Sequence, residues 1–78
     1  MTEAVNVSVA DTYLQRFARV VQRARRMGMS ITQQLPSLGI FSGDISVELI
    51  PALERVEGVA AVERMRSYHV PPDDSKVQ

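Results

Sequence analysis

The side chains that commonly carry catalysis are scarce in this sequence. His69 is the only histidine, Lys76 is the only lysine, and cysteine is absent. Lys76 lies in a polar segment that offers no shielded pocket for a Schiff-base nucleophile, and no serine or carboxylate forms a convincing catalytic arrangement with His69. Without cysteine the chain has neither disulfides nor thiolate metal ligands. We therefore expect no catalytic activity, no cofactor and no metal site.

A second group of side chains that could bind a ligand consists of arginines. Five of them lie in one predicted helix: Arg16, Arg19, Arg23, Arg25 and Arg26. All of them except Arg25 follow helical spacing opposite the apolar stripe, as on an ordinary solvated helix face. A phosphate-rich partner or an acidic protein surface could also use them. The whole chain has nine basic and nine acidic residues, and this balance indicates neither a nucleic-acid nor a membrane partner.

Length and composition indicate one small domain. The 78 residues are 45% hydrophobic, which suffices for one modest core. We expect the domain to span residues 1–70 and residues 71–78 to form a flexible tail, because Pro71 and Pro72 precede polar residues. No signal-peptide pattern and no apolar run of membrane length occur. As written, the chain is expected to be cytoplasmic; an excised prodomain would be extracellular.

The apolar periodicity predicts six elements. Alternation predicts strands at residues 5–9, 29–35, 40–45 and 59 to about 67. Helical spacing predicts one helix over residues 12–27, capped by Asp11, and a second from about Ser46. Pro51 conflicts with that second start, so the helix begins later or is kinked. The order βαββαβ predicts a ferredoxin-like α+β domain, a four-stranded antiparallel sheet with two helices on one face.

The alternation also assigns side chains to the two faces of the sheet. Strand residues predicted to face the helices are Val5, Val7, Val9, Met29, Ile31, Leu35, Ala60 and Val62. Helix residues predicted to complete the core include Leu14, Phe17, Val21, Leu53 and Val56. Residues predicted on the opposite face are Asn6, Ser8, Ser30, Thr32, Gln34, Val59, Ala61, Glu63 and Met65. This opposite face is either a solvated surface or a docking face for a partner or a second copy.

The segment LER at residues 53–55, followed by EGVAAVE at residues 57–63, is the most distinctive part of the sequence. With this segment as the strongest part of the match, residues 4–70 resemble the subtilisin propeptide-like domain, peptidase inhibitor family I9. A first strand and long helix that ends at Gly28 also correspond to the family pattern. The match at Gly39, Ile40 and Phe41 is weaker, because the family commonly has Asn-Gly-Phe there.

The resemblance implies how such a domain would bind a protease. The open sheet face would pack on two parallel protease helices, with Glu63 as the carboxylate that caps their N-termini. Met65 stands where a second acid is common. The following segment would lie in the substrate cleft as an added strand, with Tyr68 in an apolar pocket and Pro71 just before the cleaved bond. The implied partner-binding residues are Glu63, Met65, Tyr68, His69, Val70 and Pro71.

Two functions remain as hypotheses. In the first, the chain inhibits a subtilisin-like serine protease or acts as its folding chaperone, as the EGVAAVE segment indicates. In the second, it is a free-standing ferredoxin-like interaction domain without a protease target, and it forms a homodimer through its sheet. The absent second acid, the extended tail and the lack of a signal peptide favour the second hypothesis.

Overall fold

The computed structural model describes residues 1–65. Its strands and helices are β1 (Thr2–Val9), α1 (Phe17–Arg26), β2 (Ser30–Leu35), β3 (Ile40–Ser46), α2 (Ile50–Glu54) and β4 (Val59–Arg64). The sheet order is β2-β3-β1-β4, with every neighbouring pair antiparallel. The predicted ferredoxin-like α+β fold is therefore confirmed. The predicted tail at residues 71–78, and the end of the last predicted strand, lie outside the described residues.

The chain between β1 and α1 differs from the prediction. Asp11–Arg16 form a 3₁₀ helix, and α1 begins only at Phe17. The residue at the N-cap of this 3₁₀ helix is Ala10, and the one at the N-cap of α1 is Arg16, so the predicted role of Asp11 as N-cap is wrong. A 3₁₀ helix has three residues per turn instead of 3.6, which moves Leu14 away from the core. Leu14 was predicted to be buried, but it is 41% exposed.

The second helix is short because of Pro51. A 3₁₀ turn at Val47–Leu49 precedes α2, and α2 runs only over Ile50–Glu54. Pro51 then lies in the first turn, where its missing N–H leaves no helical hydrogen bond unmade. Of the two alternatives that the sequence left open, the later start is correct.

The core lies between the two helices and one face of the sheet. Its centre is an edge-to-face contact between Phe17 of α1 and Phe41 of β3, with ring centroids 5.9 Å apart and planes at 84°. Such aromatic contacts add stability beyond the area that they bury. The other buried apolar residues are Val5, Val7, Val9, Val20, Val21, Ala24, Met29, Ile45, Ile50 and Leu53. The helices therefore cover one face, and no other element of residues 1–65 covers the opposite one.

Candidate binding surface

The uncovered side of the sheet, called the open face below, is the candidate site. Strand register places the following residues on it: Thr2, Ala4, Asn6, Ser8, Ser30, Gln33, Leu35, Ile40, Ser42, Asp44, Ser46, Ala61, Glu63 and Met65. Most of these side chains are polar, and most are short. A flat surface of this kind lets a partner approach the sheet closely.

Strand β4 contains a bulge that changes which residues reach the open face. Val9 pairs with Val59 and Ser8 pairs with Ala61, so Ala60 is an extra residue without a partner. An extra residue reverses the alternation beyond it. Val59 consequently packs against the core and Ala60 is exposed, whereas the sequence predicted the reverse. Ala61, Glu63 and Met65 lie on the open face, as predicted.

Strand β2 contains a second bulge, at Thr32. Ile31 pairs with Gly43 and Gln33 pairs with the next residue of β3, Ser42. The alternation reverses here too, so Leu35 lies on the open face rather than in the core. Gln34, predicted on the open face, instead pairs with Phe41 on the helix side. Both of these predictions are wrong for the same reason.

Leu35 forms an apolar corner of the open face together with Ile40. The two residues are paired across β2 and β3, and both are half-buried. Leu38, in the 3₁₀ turn between these strands, is 67% exposed. We call Leu35, Leu38 and Ile40 the apolar corner. The sequence analysis missed Leu35 because this residue reaches the open face only through the bulge.

Glu63 lies on the open face, on the edge strand β4. It is exposed and pairs with Asn6 of β1, which in turn pairs with Ser42 of β3. The Ser42 hydroxyl donates a hydrogen bond of 2.5 Å to Asn6 Oδ1. This bond orders the polar centre of the face, and Glu63 lies beside it. Met65 is 45% exposed, and its backbone N–H donates to Ala4.

Asp44 is a second carboxylate on the open face, and the sequence analysis did not find it. It is exposed, and it pairs with Ala4 on one side and Ser30 on the other. Arg64, the residue after Glu63, points to the helix side, where its Nε lies 3.2 Å from Glu3 Oε1. Within residues 1–65, the open face therefore has two charged side chains, Asp44 and Glu63.

The Glu57-Gly58 turn, the start of the segment that resembles family I9, has a structural role. The Tyr13 hydroxyl donates a hydrogen bond to Glu57 Oε2, and Arg23 Nη1 donates to the Glu57 carbonyl over 3.2 Å. The Tyr13 bond, followed by the nearby Arg23 charge, lowers the pKa of Glu57; the same bond raises the pKa of Tyr13. Gly58 has φ +96° and lies against Val20 and the Tyr13 ring.

The EGVAAVE segment thus combines structural and surface residues. Glu57 fixes the turn through its hydrogen bond from Tyr13, which precedes α1, and Gly58 allows the positive φ that the turn requires. Val59 and Val62 pack against the core. Among its last three residues, Ala61 and Glu63 face outward on the open face. The pattern itself is therefore largely what this fold requires, and Glu63 is the part of it available to a partner.

The other predicted partner-binding residues, Tyr68, His69, Val70 and Pro71, lie outside the described residues. Within residues 1–65, no three acidic, histidine or cysteine side chains are grouped as metal ligands. In the same range, no helix is long and apolar enough to cross a membrane.

Comparisons with known protein families, with curated proteins and with solved structures find no match for this chain.

Proposed function

We propose that this domain binds a subtilisin-like serine protease through its open face and inhibits it. The observation that carries the proposal is the pair of carboxylates, Asp44 and Glu63, on a face whose other described side chains are uncharged. The exposed N-terminus of a helix has unpaired N–H groups and the positive end of the helix dipole, so it favours a carboxylate. The resemblance to family I9 supplies the partner, a protease that presents two such helices.

The separation of the two carboxylates suits a pair of helices. Asp44 and Glu63 are two strands apart and offset by two residues, which places their Cα atoms roughly 12 Å from each other. The axes of packed helices lie about 8–10 Å apart. The lengths of the Asp44 and Glu63 side chains are sufficient to make up the difference between this spacing and the Cα separation. Asp44 also lies in the same cross-strand row as Met65, the position where the family commonly has its second acid. Asp44 can therefore supply the second capping carboxylate.

The same pair of charges argues against the homodimer. Two copies that met through their open faces would bring four carboxylates into one interface, and like charges at an interface oppose association. One observation favours the homodimer as a second candidate: the apolar corner places the paired Leu35 and Ile40, and the exposed Leu38 of the turn between their strands, at one end of a mostly polar face. Exposed apolar clusters are common at protein interfaces. A protease could cover this corner equally well.

Protease inhibition tests the proposal directly. The wild-type chain is assayed against a panel of subtilisin-like proteases at micromolar concentration, beside Glu63→Gln and Asp44→Asn. Each substitution should weaken inhibition about fivefold, the equivalent of one lost cap at ~1 kcal/mol. Glu54→Gln is the matched control, because Glu54 is exposed on α2, on the helix side of the sheet. It should leave inhibition unchanged.

The outcomes separate the two candidates. All three variants should keep the wild-type melting temperature, since none of the three side chains is buried. A loss of inhibition in Glu54→Gln as large as in Glu63→Gln would remove the role of the open face. No inhibition of any protease, together with a stable dimer in solution, would replace the proposal with the homodimer.

A further inference from the structure

The outward side of α1 is a second surface with a distinct chemistry. Three arginines lie along it at helical spacing, Arg19, Arg23 and Arg26, and with Ala18 and Gln22 they line a shallow groove. We call these three arginines the arginine stripe. Arg16 and Arg25 flank it, and both are exposed. The opposite side of α1 carries its buried residues, Phe17, Val20, Val21 and Ala24.

Most of this positive charge has no acidic partner within residues 1–65. Arg23 Nη1 lies 3.5 Å from Glu57 Oε1, and this is the single ion pair that the described part of the chain provides to α1 and its flanking arginines. Acids are also absent from the local sequence, since none occurs from residue 12 to residue 43. The segment therefore carries a concentrated positive charge that its described neighbours offset at one position.

The balanced total charge conceals this concentration. Asp44 and Glu63 lie on the open face, on the other side of the sheet from α1. A net charge of zero predicts no nucleic-acid partner, but that argument treats the charges as evenly mixed. Here five arginines lie in or just before α1, in a segment without acids, so a partner that meets the outward side of α1 encounters the arginines first.

The composition of the groove restricts what such a partner can be. The centre of a protein–protein interface normally buries apolar or aromatic residues, and Ala18 is the single apolar residue that lines this groove. Single-stranded nucleic acids need aromatic side chains on which bases stack, and none lines it. The backbone of a duplex needs neither, because its affinity comes from phosphate contacts and the release of counterions.

Guanidinium groups fit this ligand well. All the positively charged side chains of residues 1–65 are arginines, and arginine binds phosphate through two parallel hydrogen bonds. Arg19 and Arg26 are about 10.5 Å apart along the helix axis. That separation is similar to the ~12 Å width of the major groove, so the two side chains can reach phosphates of both strands.

We propose that the arginine stripe binds the phosphate backbone of a nucleic-acid duplex without reading its sequence. Arg19 and Arg26 of the stripe supply two contacts, and the flanking Arg16 and Arg25 supply one or two more, while Arg23 is paired with Glu57. The stripe and the open face lie on opposite sides of the sheet, so each can bind with the other free or occupied. Protease inhibition is therefore not required for duplex binding, and either activity can be lost alone.

Fluorescence anisotropy with a labelled 20-base-pair DNA duplex tests this assignment. Three to four phosphate contacts should give a slope of about −2.7 to −3.6 in a plot of log affinity against log salt concentration. Affinity should then fall roughly 40- to 150-fold between 50 and 200 mM salt. The double variant Arg19→Gln/Arg26→Gln should make the slope shallower by about 1.8. Arg55→Gln, which removes one exposed arginine just after α2, should not change it.

Three results would overturn the assignment of duplex binding to the stripe. The first is no binding by the wild-type chain at 20 mM salt. The second is an unchanged slope in the double variant while its melting temperature shows that it is folded. The third is displacement of the duplex by polyglutamate as efficiently as by unlabelled duplex, which would assign the stripe to an acidic protein. Unequal affinity for two duplexes of unrelated sequence would contradict the absence of sequence readout.

Discussion

Replacing Gly58 with alanine should destabilise the fold by several kcal/mol. Gly58 has φ +96°, and an L-residue in the left-handed region costs about 1–2 kcal/mol. A Cβ at this position would lie 2.6 Å from Val20 Cγ2 and 3.1 Å from the Tyr13 ring. Val20 is fully buried, so relief requires repacking, at about 1–3 kcal/mol. The expected total is ~2–5 kcal/mol, a large share of the ~4–12 kcal/mol typical of this length.

Gly28→Ala is the matched control for this substitution. Gly28 has a similar φ of +109°, but a Cβ there would meet a single atom, Leu49 Cδ1, at 3.8 Å. It should therefore show the backbone contribution alone, about 1–2 kcal/mol. Urea denaturation measures both variants, and thermal melts should show Gly58→Ala at least about 8 °C below wild type, at about 4–8 °C per kcal/mol.

A double variant isolates the steric part of the effect. In a Val20→Ala background the methyl group that opposes the new Cβ is gone, so Gly58→Ala should cost less than it does in the wild-type chain. The coupling energy should be at least about 1 kcal/mol. Equal destabilisation by Gly58→Ala and Gly28→Ala, with no coupling to Val20, would refute the reasoning.

Two further predictions concern the core and the Glu57 turn. Phe17→Ala should destabilise the domain by ~3–5 kcal/mol, because the ring is buried against Phe41; a melting temperature within a few degrees of wild type would contradict this. Tyr13 and Arg23 lower the pKa of Glu57 in the folded state, so ionised Glu57 stabilises the fold. This contribution to stability is complete above the ordinary glutamate pKa of about 4.3, and it is lost as the pH falls through the lower pKa of the folded state. The melting temperature of Glu57→Gln should therefore decline less than that of wild type below pH 5, and parallel declines would count against the interaction.

The sequence was sufficient for the fold because its periodicity is strong where the core forms. Val5, Val7 and Val9 alternate without interruption, and all three are buried. The order of elements then follows from the turn residues between them. Leu14 was wrongly predicted to be buried because its segment is a 3₁₀ helix. With three residues per turn instead of 3.6, a 3₁₀ helix points its side chains in other directions than the predicted α-helix would.

The open face could be predicted only in part. Glu63 was identified because it ends a distinctive segment, and it lies on that face. Asp44 was missed because β3 has two adjacent apolar residues, Ile40 and Phe41, so alternation alone does not assign its faces.

The bulges were also not anticipated, because a bulge is defined by the register of the partner strand. One signal was present: Gly43 stands in the middle of a predicted strand, a position that often marks a bulge or a close backbone approach. A Cβ there would meet the Ser30 carbonyl at 2.0 Å.

The positions of the two bulges have a consequence for how the protein resists aggregation. Both extra residues, Thr32 and Ala60, lie on the two outer strands of the sheet. An outer strand with a regular backbone is a template on which further chains can add, one strand after another, into a fibril. A bulge interrupts that template by twisting the backbone and breaking the spacing of its free N–H and C=O groups. The bulges therefore disfavour the addition of further strands at both edges of the sheet. Association through the faces of the sheet is then favoured, and there the specificity depends on side chains rather than on the backbone.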